Sequence, residues 1–218
     1  MNNPNRDRVR DRVCDRIRDP FRKLTNEEIT QLPIKKWQGT IQLIESDHQV
    51  ADAVAQLQRE SIVGFDTETK PIFKKGTVRA PALLQLAGTH CVYLFRLTHL
   101  QQFAPLATLL EQEHILKVGI GIWQDMQQLQ DVFPFRAAGL ADLSTIAKHS
   151  GIPHYGIRSL AACCFGIRIS KRAQCSNWER DELYPYQIEY AATDAWISRE
   201  IYLMLAKISP AATTAQSG

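Results

Sequence analysis

Ser61-Ile62-Val63-Gly64-Phe65-Asp66-Thr67-Glu68-Thr69 is the stretch whose reading decides the fold. A β-prone run, apolar from Ile62 to Phe65 except for Gly64, stops at Asp66, and the acids stand as Asp-x-Glu. Side chains of an extended chain repeat every two residues, so Asp66 and Glu68 emerge on the same side. Two carboxylates this close repel each other, and a cation between them removes the repulsion. Hard oxygen ligands of this kind suit magnesium or manganese. Alone, the pair is a weak signal, since Asp-x-Glu more often marks an acidic surface loop.

Outward from that run, residues 82–87 and 91–97 are predicted as the next two strands, with Gly88-Thr89-His90 as the hairpin turn between them. Residues 40–44 and 115–120 read as further strands. Thr25 and Glu28 have capping-box spacing before a short helix that Pro33 ends, and Ser46 with Gln49 repeats the pattern before a helix to residue 60. Helices are also predicted at 103–110, 124–132 and 159–165, the last stopped by Gly166. Residues 139–147 hold a strand end and then a helix. Pro185 suits the first position of a long helix that runs to Ile208. Strands mixed with helices over 218 residues point to an α/β sheet covered on both faces.

Composition fits that picture. At 44% hydrophobic and 22% charged, the chain can bury an ordinary core, and no stretch has the uncharged length of a membrane span. A net charge of +3 is compatible with a polyanionic partner without requiring one. The cysteines Cys14, Cys91, Cys163, Cys164 and Cys175 lack metal-finger spacing, so reduced thiols in a cytoplasmic protein are expected. Residues 1–24 form a charged extension in which Val9, Val13 and Ile17 recur every four residues. It reads as a solvated helix or as a nucleic-acid-binding arm, and the interleaved Asp7, Asp11, Asp15 and Asp19 argue against a transit peptide. The domain proper is expected at 25–208 and a disordered tail at 209–218.

Two further motifs carry chemistry. In Val118-Gly119-Ile120-Gly121-Ile122-Trp123-Gln124-Asp125 a buried strand passes through two glycines into a helix, with Asp125 in its first turn. That acid is either a ligand or a partner of the helix dipole, and the glycines allow close approach to another element or to a ligand. In Tyr190-Ala191-Ala192-Thr193-Asp194, Tyr190 and Asp194 are four apart and share a helical face. An aspartate beside Ala191 and Ile197 is costly unless paired or metal-bound.

Taken in order, the three motifs resemble the exonuclease motifs of the DEDD superfamily, in its tyrosine-bearing branch. Within that branch the chain looks most like the Werner-syndrome-type exonuclease domain and, more distantly, ribonuclease D. Cys175-Ser176-Asn177-Trp178, Gly119-Ile120-Gly121-Ile122 and the Tyr190 motif carry the likeness, which covers residues 40–208. In the sister branch a histidine precedes the tyrosine position; here that residue is Glu189.

The resemblance implies a ribonuclease-H-like three-layer fold with a mixed sheet of five or six strands. It implies a metal-dependent 3′→5′ exonuclease that releases nucleoside 5′-monophosphates with two divalent cations, Mg2+ or Mn2+. Asp66 would bridge both metals, and Glu68 and Asp194 would complete the site that activates water. Asp125 would hold the second metal mainly through bound water, and Tyr190 would orient the attacking water. Thr67 would lie near the terminal 3′ hydroxyl. Gln85 matches a glutamine near the site in relatives, or is a polar residue on a half-exposed strand. Lys70, Lys74, Lys75, Arg79, Lys171, Arg172 and Trp178 would track phosphates and stack bases. The alternatives are a solvated basic loop and, for Trp178, a packing anchor.

The expected partner is a nucleic acid with a free 3′ hydroxyl, and no membrane. The complete set of five catalytic-type side chains argues against a non-catalytic nucleic-acid-binding module. A ribonuclease-D-type RNA-processing enzyme is the nearer rival. The chain ends shortly after its last predicted helix, which leaves no room for the helical domains of ribonuclease D and slightly favours DNA.

Overall fold

The computed structural model describes residues 19–71 and 79–208. In chain order the elements are α1 (Asn26–Gln31), β1 (Thr40–Ile44), α2 (Asp47–Leu57), β2 (Ile62–Glu68), β3 (Leu83–Ala87) and β4 (Cys91–Arg96). After them come α3 (Ala104–Leu110), β5 (Leu116–Gly119), α4 (Ile122–Gln130), β6 (Leu140–Asp142), α5 (Leu143–His149), α6 (Ile157–Phe165) and α7 (Pro185–Ile208). The strands form one mixed sheet in the order β1-β4-β3-β2-β5-β6. β3 runs antiparallel to both its neighbours, and the remaining pairs are parallel.

Side-chain alternation along the strands makes two cores. Val63, Phe65, Leu84, Leu86 and Phe95 pack under α2, α3 and α4. Leu83, Ala87, Val92 and Leu94 pack under α7 on the other face, where Leu116, Val118 and Ala141 meet α5, α6 and α7. The result is a three-layer sandwich with α7 lying along the middle of the sheet.

Several local expectations shift. β2 does not stop at Asp66 but continues through the acidic pair. β3 supplies ladder partners that far, pairing Asp66 with Gln85, Thr67 with Leu84 and Glu68 with Leu83. β3 is buried along its whole length because helices cover both faces, so Gln85 is not on a half-exposed strand. The Thr25 capping box forms, with Glu28 N donating to Thr25 Oγ1 at 3.2 Å and Thr25 N to Glu28 Oε2 at 2.9 Å. The Ser46 box does not: Gln49 N donates to the Ser46 carbonyl instead, and the Ser46 hydroxyl donates to Gln49 Oε1 at 2.8 Å. Most of the charged extension, the tail and Lys74 and Lys75 lie outside the described residues. Leu24, at the end of that extension, is buried in the core, and its N–H donates to His154 Nε2 at 2.8 Å. Among the described residues no helix is long and apolar enough to cross a membrane.

Gly64 sets how closely α7 lies on β2. A Cβ there would come within 1.9 Å of the Ala195 carbonyl oxygen, which is backbone and cannot rotate away. Gly64→Ala should therefore cost about 1–3 kcal/mol, the usual range for overpacking a tight interface. Urea unfolding at a fixed pH measures this, and an unchanged midpoint would contradict the close approach.

Candidate active site

The extension of β2 sends Val63 and Phe65 into one core and leaves Asp66 and Glu68 facing α7. Asp194, in the interior of α7 and only 5% exposed, comes down onto them. One carboxylate oxygen from each of Asp66, Glu68 and Asp194 lies within 4.8 Å of the other two. Tyr190, one turn earlier on α7, shares the helical face of Asp194, and each acts on the other's pKa. Asp194 Oδ1 is buried without a hydrogen-bond partner among the described residues.

The electrostatics are those of acids waiting for positive charge. Burial, and then the charges of Asp194 and Asp125, hold the Asp66 carboxyl well above the usual range. Burial and the neighbouring carboxylates push Glu68 up to about 10. Burial raises Asp194 to about 7 against two opposing influences, the Tyr190 hydroxyl and the Arg158 guanidinium. Convergent oxygen donors, one of them orphaned, fit a hard divalent cation, which would remove the repulsion that the protein leaves uncompensated.

Asp125 stands outside the triad. It lies in the first turn of α4, half-buried, with the Thr67 hydroxyl near enough to lower its pKa. Its charge still acts on Asp66 and Glu68, and burial raises its own pKa to about 6. Two features place it. Gly121 takes the left-handed conformation, φ 67°, at the N-cap of α4. Asp142, at the end of β6, accepts from Ile122 N at 3.2 Å through Oδ2, while Oδ1 accepts from Ser144 N at 2.9 Å and Thr145 N at 3.0 Å. One buried carboxylate thus ties the start of α4 to the start of α5. Asp142 is not among the residues singled out from sequence, although Asp142-Leu143-Ser144-Thr145 is a plain N-cap pattern.

The remaining expected residues divide. Thr67 borders the site, where its N–H donates to Asp66 Oδ1 at 2.9 Å and its hydroxyl lowers the pKa of Asp125. Gln85 lies directly across the ladder from Asp66, fully buried, with neither Oε1 nor Nε2 hydrogen-bonded among the described residues. Lys171 is exposed on a groove that also contains Tyr190, Asp194, Arg158 and Ser159. Trp178 does not offer a stacking face. It is fully buried against Leu83, Leu94 and Ala191, and its ring is tilted 39° against Tyr190 at 6.2 Å, so it is a packing anchor behind the tyrosine. Lys70 and Arg79, expected to follow phosphates, are both paired with Glu179. Arg172 lies over the Tyr186 ring at 4.5 Å. Arg158 has no signal in the sequence, because a single arginine in a helix carries no positional information.

Comparison with known proteins agrees with the geometry. A family model described as 3′-5′ exonuclease matches residues 41–209. The chain is 34% identical over 155 residues to exonuclease 3′-5′ domain-containing protein 2 of Drosophila melanogaster, covering 69% of this chain and 26% of that protein. It is 31% identical over 167 residues to the bifunctional 3′-5′ exonuclease/ATP-dependent helicase WRN of Mus musculus, covering 74% of this chain and 12% of that one. It therefore spans about a quarter or less of the length of these two relatives. Among solved structures, Escherichia coli ribonuclease D, an exoribonuclease involved in structured RNA processing, superposes with a TM-score of 0.68 at 23% identity, over 81% of this chain and 48% of its own. The fold is ribonuclease-H-like.

Proposed function

Since the chain belongs to the 3′-5′ exonuclease family, we propose that it shortens nucleic-acid strands from a free 3′ hydroxyl and releases nucleoside 5′-monophosphates. The observation that carries this reading is the meeting of Asp66, Glu68 and Asp194 within 4.8 Å, with Tyr190 one turn before Asp194 on α7. Asp66, Glu68 and Asp194 would hold one divalent cation, Mg2+ or Mn2+, and Asp66 and Asp125 a second. When bound, such cations lower the pKa of a water and stabilise the departing 3′ oxygen.

The chain's own residues do the rest. Tyr190 keeps its proton, because burial and the surrounding carboxylates raise its pKa. Its hydroxyl is therefore a fixed donor beside the position of attack. Trp178 holds the tyrosine ring in place, and Asp142 holds the start of α4, which carries Asp125. DNA is the substrate we favour, on the Werner-like run Cys175-Ser176-Asn177-Trp178. RNA is the second reading, since a ribonuclease D of this fold is an exoribonuclease and carboxylates at the scissile phosphate do not sense the 2′ hydroxyl. We propose a cytoplasmic placement, in keeping with free thiols at Cys91, Cys163, Cys164 and Cys175.

The test is a ladder experiment on 5′-labelled DNA and RNA, single- and double-stranded, with Mg2+, with Mn2+ and with a chelator. Stepwise shortening that needs the metal and an open 3′ end is expected. Equal shortening of a strand with a blocked 3′ end, or digestion in the chelator, would defeat the reading.

A further inference from the structure

The groove lined by Tyr190 and Asp194 is also lined by the apolar Ile29, Ile157 and Ile169 and by two cations, Arg158 and Lys171. Arg158 sits in the first turn of α6 and is half-buried, which restricts its side chain. Its Nε reaches the Ile169 carbonyl at 3.5 Å, and its two terminal nitrogens have no partner among the described residues. Several other cations near the site are engaged elsewhere. Lys36 pairs with Glu189, Lys70 and Arg79 pair with Glu179, and Arg168 donates to the Leu32 carbonyl. The charge of Arg158 acts instead on Asp194 and Tyr190.

The charge balance of the centre leaves work for this arginine. Four carboxylates fully offset two divalent cations, so the centre would be neutral toward a phosphodiester. Net attraction, and compensation for the charge that builds up during attack, then has to come from protein cations. An arginine with a free planar fork matches two phosphate oxygens at once, which a lysine cannot do.

Building on the exonuclease reading, we propose that Arg158 binds the substrate phosphate that enters beside Asp194, with Lys171 as a weaker second contact on the same groove. The arginine acts on the strand through its two terminal nitrogens, while its Nε keeps the contact to the Ile169 carbonyl.

The experiment measures binding of a short, labelled single-stranded oligonucleotide by fluorescence anisotropy over a range of KCl, with Ca2+ in place of a cation that supports turnover. Arg158→Gln should weaken binding about tenfold, and the logarithmic salt slope should flatten by about 0.7, the increment for one phosphate contact on a single strand. Arg158→Lys should recover the slope but only part of the affinity. Lys171→Gln, at an exposed position where folding is not at risk, should weaken binding a few-fold and flatten the slope in the same sense. Mn2+ affinity without nucleic acid should be unchanged or tighter in Arg158→Gln, since a cation beside Asp194 has been removed.

Wild-type affinity and slope in both Gln variants would overturn the inference. So would a loss of binding that follows a loss of Mn2+ affinity, which would mean that Arg158 only shapes the site. A wild-type protein that cuts while Arg158→Gln matches it refutes this inference alone. A wild-type protein that neither binds nor shortens any strand refutes the exonuclease reading and this inference together.

Discussion

Asp66→Ala should abolish strand shortening, lowering turnover by a factor on the order of 10^4 or more, as expected when one member of a concerted catalytic set is lost. Asp66 is the acid through which the others communicate: it forms the triad with Glu68 and Asp194 and feels the charge of Asp125. The same substitution should make the metal-free protein more stable. Carboxyls whose pKa is raised on folding bind protons more tightly in the folded state, so they are tolerated best below their unfolded pKa of about 4. As pH rises toward the folded values, about 6 for Asp125 and about 7 for Asp194, the metal-free wild type should lose stability progressively. Asp66→Ala removes one acid and relieves its neighbours, so its melting temperature should exceed that of wild type by a margin that widens from pH 4 to pH 7. For a domain of this size each 1 kcal/mol corresponds to about 2–4 °C. Mn2+ should close the gap by stabilising wild type, because the ligands bind deprotonated. Thermal unfolding of both proteins in chelator and in Mn2+ measures this. A margin that shrinks with rising pH would contradict the repulsion argument, and cleavage by Asp66→Ala would remove it from the metal set.

Tyr190→Phe should lower turnover about 10^2-fold, the contribution typical of one positioned proton-transfer or hydrogen-bonding group, while Mn2+ affinity and strand binding change little. The substitution removes one oxygen and leaves the ring, which is fixed by its packing on the buried Trp178. Asp194→Asn should be worse, since it removes a metal ligand from the same helical face. Single-turnover rates at saturating metal distinguish the two. If Tyr190→Phe turns over like wild type, the tyrosine does not orient the nucleophile. If it loses Mn2+ affinity as well, its hydroxyl serves mainly to hold Asp194.

The sequence by itself determined the elements and the order of the acids. Two-residue alternation placed Asp66 beside Glu68, and four-residue spacing placed Tyr190 beside Asp194, because both are local consequences of backbone geometry. Pro185 and the Thr25–Glu28 pair marked helix starts for equally local reasons. What decided the rest was contact between segments far apart in the chain. Only the pairing of β2 with β3 carries the strand through the acidic pair, and only the layer of helices on each side turns Gln85 and Trp178 inward. Pairing with Glu179 takes Lys70 and Arg79 away from a strand, and the groove beside α7 leaves Arg158 free for one. A charge or an aromatic ring looks the same in sequence whether it meets solvent, a counter-ion or a core. Which of these it meets depends on where the helices pack, and Gly64 under Ala195 shows how tightly that packing is set.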